Sequence, residues 1–149
     1  MKLFTEAAEY ALRAAVWLAD HPGQAWTVRQ IADGTQSKAG YLIRVIHALA
    51  RADIVSSQGG VGGGVVLKAN PRSTSILDVL NAVDPMARIK TCPLGLKTHG
   101  KDLCALHLRV DQSMAMIEEE FSKTTLADLL SDKNPSKPLC DLRRGAARS

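Results

Sequence analysis

Two sets of side chains in this sequence have the types and spacing to do chemistry beyond folding. The first lies in the stretch CPLGLKTHGKDLCALH, residues 92–107, and consists of Cys92, Cys104 and His107. Cys104 and His107 stand three apart, so a helix would present both to one face. Cys92 lies upstream, across a loop with the turn-formers Gly95 and Gly100. Thiolate sulfur and imidazole nitrogen are the ligands that hold iron–sulfur clusters or zinc. The same pair also arises incidentally, as reduced thiols beside a histidine. The second set is Lys38, Tyr41, Arg44 and Arg51, on one side of a segment (37–51) that contains no acid. A cationic face free of acids is chemistry for a phosphate backbone.

The elements around that basic face are legible. Thr27 followed by Gln30 is the pattern of a capping box, and Trp26 and Ile31 are spaced for a hydrophobic staple. The spacing predicts a short helix from Val28 to Asp33 that stops at Gly34, with Ser37 capping the next helix. In that next helix Leu42, Val45, Ile46 and Leu49 form one apolar stripe. Two helices joined by a short turn, the second basic on its outer face, read as a helix-turn-helix. Ala39 and Gly40 are small enough to let its first turn approach a phosphate backbone. Ile54–Ser57, a glycine-rich turn and Val65–Leu67 then read as a β-hairpin, the wing of a winged helix. The glycine run 59–64 lacks the Lys-Ser/Thr ending of a P-loop and precedes no helix, which excludes a nucleotide cradle. The expected DNA-binding residues are Arg29, Ser37, Lys38, Ala39, Tyr41, Arg44, Gln58 and Gly60. Lys38, Tyr41 and Arg44 should face the major groove, and Arg29 and the wing the flanking backbone.

Charge supports this only locally. The net charge is +4, but residues 133–149 carry five Lys/Arg against Asp141, leaving 14 basic and 14 acidic residues in the first 132. The basic helix face, rather than the overall balance, carries the nucleic-acid argument. No signal peptide or apolar run of membrane-spanning length is visible, so a cytoplasmic protein is expected. Three cysteines, Cys92, Cys104 and Cys140, make an odd number, which favours a metal site or reactive thiol over a disulfide framework.

Thr5 to Ala19 reads as a first helix with the stripe Ala8, Ala11, Leu12, Ala15, Val16 and Ala19. Glu9 and Arg13 are spaced for an i,i+4 ion pair. Ser73, Thr74 or Ser75 should cap a helix over 76–83, closed by Asp84-Pro85. Residues 86–104 show no sustained period. From Leu103 the series Leu106, Val110, Met114, Ile117, Phe121 steps by three and four, a narrow coiled-coil-like seam that suits pairing with a second copy. A short helix follows Thr124-Thr125. The expected fold is mainly α with a small β-wing: a winged helix-turn-helix plus a long dimerisation helix. Its expected parts are a DNA-binding domain (1–84), a sensor loop (85–104), the dimerisation helix with a short helix after it (105–132) and a basic, disordered tail (133–149).

The chain resembles the dimeric winged-helix bacterial regulators that include IscR, NsrR and CymR. The likeness runs through MKLFTEAAEYALRAAVWLA, VRQIADGTQSKAGYLIRVIHALARADIVSS, the wing GGVGGGVVL, ILDVLNAVD and TTLADLL. It implies a homodimer crossed through the long helix, bound to a palindromic double-stranded operator. It also implies that Cys92, Cys104 and His107 match iron ligands, with 2Fe–2S favoured over 4Fe–4S. Thr98 stands where a middle cysteine is usual, which leaves Glu9 of the partner chain or His99 as the fourth ligand. Gly59 stands where an arginine for the minor groove is common, and Val65 where an aromatic is. The function expected is a DNA-binding transcription regulator, acting as a repressor, whose operator affinity an iron–sulfur cluster switches. A metal-free switch through disulfide or persulfide at the cysteines competes with it. A Cys–His enzyme is the remote alternative, because no third orienting group or oxyanion-hole motif accompanies the pair.

Overall fold

The structure, a computed structural model, describes residues 3–99, 102–136 and 138. Helix α1 (Glu6–Asp20) is the centre of the fold, with α2 (Val28–Thr35), α3 (Ala39–Arg51), α4 (Ile76–Val83) and α6 (Leu126–Ser131) packed around it. Its alanines explain why so many neighbours fit. Ala8, Ala11, Ala14 and Ala15 are fully buried, and such small side chains let helix axes approach closely. Trp17 and Leu18 are as deeply buried as Ala8, Ala11, Ala15 and Val16 of the predicted stripe, while Leu12 and Ala19 are only half-buried, so α1 is enclosed on more than one side. Each such large side chain contributes about 1.5–3 kcal/mol on removal from water.

The Thr27 hydroxyl oxygen accepts from the Gln30 backbone amide, while the Gln30 side-chain oxygen accepts from the Thr27 amide, the expected capping box on α2. The end of α2 differs from expectation. The helix continues through Gly34 to Thr35, and Gln36 takes the left-handed conformation at φ 51°. Gly34 is glycine because a Cβ there would lie 2.6 Å from Nε1 of Trp17. Nor does Ser37 cap α3. Lys38 holds that position without a side-chain bond, and the Ser37 hydroxyl pairs with that of Thr35 at 2.9 Å. Thr35, wholly buried, already donates to the Ile31 carbonyl, so Ser37 satisfies its second polar valence.

Strands β1 (Val55–Gln58) and β2 (Gly64–Leu67) form the antiparallel wing, with Val55 opposite Leu67 and Gln58 opposite Gly64. Trp26 fastens the wing to the helices: its amide donates to the Val65 carbonyl (3.0 Å), and its carbonyl accepts from the Val65 amide in return (2.7 Å). Its indole stands edge-on to Trp17, centroids 4.7 Å apart.

Helices α4 and α6 begin side by side. Ser75 and Thr125 are bridged, and each closes a reciprocal capping box, with Asp78 and Asp128 respectively. Leu126, fully buried, joins the core built by α1–α4. Between them runs α5 (Ala105–Lys123), which has no buried residue at all. Leu106 is 68% and Met116 64% exposed, whereas Met114, Ile117 and Phe121 are half-buried, the last with its ring 5.8 Å from Phe4. The predicted seam is therefore split. Leu106 and Val110 point outward, joined by Met116 from outside the series, and the other three turn partly toward their own chain.

Candidate nucleic-acid interface and metal centre

Burial of Leu42, Val45, Ile46 and Leu49 against the core leaves Ala39, Gly40, Ile43, Arg44, His47 and Arg51 on the outer face of α3. Lys38 and Arg44 are exposed, as are Arg29 on α2 and Gln58 and Gly60 on the wing; Ser37 is half-buried. Tyr41 is also half-buried, its ring edge-on to Tyr10 at 5.8 Å. Ile43 and His47 were missed by charge-based reasoning, although helical spacing puts both beside Gly40 and Arg44. The sequence also gave no hint that Lys38 has an acid. Glu6 of α1 reaches it at 3.2 Å, and this bond raises the Lys38 ammonium above its ordinary pKa. The Tyr10 hydroxyl first, then Lys38, holds the Glu6 carboxyl below its own. A DNA phosphate would compete with Glu6 for this exposed ammonium.

At the cysteine loop, Cys104 is the N-cap of α5 and His107 lies in its first turn. The expected i,i+3 pairing is realised, with Sγ of Cys104 3.2 Å from Nδ1 of His107. Cys92 is half-buried and opens a turn in which the Gly95 amide donates to its carbonyl, with Gly95 at φ 62°. Among the described residues no three His, Cys, Asp or Glu side chains converge on one point. One chain thus presents two of the predicted ligands together and Cys92 apart from them. Neither Cys92 nor Cys104 is in a disulfide. Glu9 accepts from Nε and Nη2 of Arg13 at 3.1 and 2.9 Å, and Arg13 continues to the Thr35 carbonyl. The ligand role given to the His99 side chain lies outside the described residues, and so does Cys140.

The segment that leads into Cys92 is held to α5 by a clamp no local pattern announces. Arg88 donates through Nε and Nη2 to the two oxygens of Asp111, at 2.7 and 2.6 Å, and the Ile89 amide adds a third bond at 2.9 Å. Glu118, two turns on, lies 3.5 Å from Nη1. Asp111 is one turn beyond His107, so the clamp and the Cys104–His107 pair share a face of α5. The two bonds from Arg88, and then the Ile89 amide, keep the Asp111 carboxyl below its ordinary value against the opposing effect of burial. A carboxyl whose pKa folding lowers stabilises the native form above its unfolded pKa, and that contribution is lost as pH falls through the lowered value. The Ile89 amide should therefore be protected from hydrogen exchange at neutral pH and keep that protection until the pH has fallen below the ordinary carboxylate value of about 3.9. Asp111→Ala should leave it unprotected throughout. Protection that persists in this variant would mean the clamp does not hold the loop.

No helix among the described residues is long and apolar enough to cross a membrane. Several solved structures share the fold. IscR of T. potens is 25% identical over 87% of this chain and 86% of its own, with a TM-score of 0.71. CymR of B. subtilis, a global cysteine regulator, is 22% identical over 85% and 94%, again at 0.71. CymR of Staphylococcus aureus is 22% identical over 85% and 97%, at 0.63. Residues 4–132 match the Rrf2 family, described as iron-dependent transcriptional regulators. The winged helix, the basic outer face of α3 and this match agree: the chain belongs to the Rrf2 family and is a DNA-binding transcription regulator rather than an enzyme.

Proposed function

We propose that this regulator is a homodimeric repressor whose grip on a palindromic operator is switched by an iron–sulfur cluster held at Cys92, Cys104 and His107. The observation that carries the reading is the Cys104–His107 pair, sulfur and nitrogen 3.2 Å apart at the start of α5. The donor set fits. A thiolate and an imidazole on one helical turn are two ligands of a mixed Cys/His site, and Cys92 supplies the second sulfur from the loop that Arg88 fastens to the same helix. The fourth ligand is Glu9 of a second chain or His99. When bound, the cluster supplies a one-electron centre, more oxidising with mixed ligands than with four thiolates.

The residues of the chain do the rest. His107 and Cys104 fix the first turn of α5, and Arg88, through Asp111, holds the approach to Cys92 against that helix. Glu9 exchanges Arg13 for the site when it serves as a ligand. Because Arg13 also donates to the Thr35 carbonyl at the end of α2, that exchange reaches the turn before α3. The change in ligation is thereby felt at the DNA-facing helix, a coupling of about 1–3 kcal/mol in systems of this kind.

Anaerobic reconstitution tests the assignment. The protein should take up iron and sulfide, and Cys92→Ala and Cys104→Ala should each bind substantially less. Equal loading of parent and variants would remove these residues as ligands. The Cys104 sulfur beside His107, with Cys92 upstream and neither in a disulfide, also suits a metal-free switch. A parent that binds no iron, while an oxidant links Cys92 to Cys104, would establish that second reading in place of the first.

A further inference from the structure

We propose that Ile43 reads DNA sequence, recognising the C5-methyl group of a thymine in the major groove, so that each operator half-site carries a required thymine opposite it. The inference rests on α3 as the DNA-facing helix. Ile43 is 45% exposed, while the inner face of α3 is filled by Leu42, Val45, Ile46 and Leu49, each at most 2% exposed. Neither stability nor local structure asks for an isoleucine on the outer face. A β-branched side chain slightly disfavours a helix, and an exposed one gains little from burial.

The position suits base reading. Gly40 and Ile43 share a face in the first half of α3, the part of a recognition helix that contacts base edges. Apart from the adjoining backbone of α3 itself, nothing lies within 4 Å of where a Gly40 Cβ would be, and its absence leaves room for a base edge beside Ile43. The composition of the helix then narrows what can be read. Residues 37–51, SKAGYLIRVIHALAR, contain no Asn, Gln, Asp or Glu. The bidentate partners of adenine and the carboxylate acceptors for the cytosine amine are therefore missing. Lys38 and Arg44 are suited to guanine, and the apolar group that the major groove offers is the thymine methyl. An exposed Ile43 complements it.

The test uses an operator that the full-length protein itself selects from a pool of random duplexes. Each thymine of the enriched site is replaced in turn by deoxyuridine, which differs only in lacking the methyl. One thymine per half-site should be sensitive, its replacement weakening binding about fourfold, the effect of burying one methyl-sized group. Ile43→Ala should bind the thymine and deoxyuridine forms equally. Because the side chain is surface-exposed, the variant should melt as the parent does, and the deoxyuridine series on the parent is informative without it. Arg44→Ala separates the two layers of the argument. It should weaken binding to both forms, lower the salt slope by about one unit and keep the fourfold ratio. If Arg44→Ala changes neither affinity nor slope, or the pool yields no enriched site, α3 is not the reading helix and the inference falls with it. If Arg44→Ala weakens binding but no deoxyuridine does, or the deoxyuridine effect survives in Ile43→Ala, the Ile43 assignment alone is wrong.

Discussion

Gly34→Val should lower stability by about 3 kcal/mol and the melting temperature by roughly 10 °C, whereas Gly40→Ala should raise stability by about 0.5–1 kcal/mol. Both glycines lie inside helices, where replacement by alanine normally favours folding. Their surroundings set the opposite signs. A Cβ at Gly40 meets nothing within 4 Å. A Cβ at Gly34 would come within 2.6 Å of Nε1 and 2.8 Å of Cε2 of Trp17. That indole cannot swing aside cheaply. It is 2% exposed, stacked on His21 at 4.2 Å and held edge-on by Trp26. Overpacking at such a site strains α1, α2 and, through Trp26, the wing. Thermal melts of the two variants provide the comparison, with tryptophan emission as a local reporter because both tryptophans belong to this cluster. A Gly34→Val protein that melts with the parent would show that the indole moves freely.

Gly34 also shows where a sequence stops being legible. Locally it reads as a helix stop, because glycine favours the left-handed position after a helix. The actual reason is an indole 17 residues away, which no local pattern encodes. Gln36 takes the left-handed position instead. The capping boxes at Thr27, Ser75 and Thr125 are different: each is closed within three residues, and the first and the existence of the other two helices were readable directly. The candidate site divides along the same line. Cys104 and His107 meet because one helical turn brings them together, so spacing alone revealed them. Glu6 beside Lys38 and Arg88 on Asp111 join residues 32 and 23 positions apart, and nothing local distinguishes those charges from solvated ones. Ile43 carries no charge, so a basic pattern does not mark it, and only its exposure beside Arg44 sets it apart from the buried apolar residues of α3.

Charge placed on the outer side of α5 should turn the protein into a monomer and weaken operator binding by about 10²–10⁴-fold. The physical ground is the condition of the helix within one chain. Nineteen residues long, it buries none of them, and Leu106, Leu108, Val110 and Met116 remain 68, 44, 41 and 64% exposed. An apolar surface of this kind on a regulator marks an interaction site, and a second copy of α5 offers the same surface in return, as two-fold pairing requires. Pairing would set two α3 helices to reach major grooves about 34–36 Å apart on a palindrome. The second half-site then binds as an intramolecular event, the source of the 10²–10⁴-fold gain over a single wing and helix. Met116→Glu is the better first variant, because it lies three turns from Cys104 and leaves the candidate metal site alone; Leu106→Glu with Val110→Glu probes the other end. Since these side chains face water in the single chain, the variants should keep the parent's helical content. Sedimentation equilibrium at micromolar concentration should find a dimer for the parent and a monomer for the variants, with the drop in affinity appearing in gel-shift titration on a palindromic site. A parent that sediments as a monomer, or a monomeric variant that binds the palindrome as tightly as the parent, would rule out α5 as the element that pairs the reading heads.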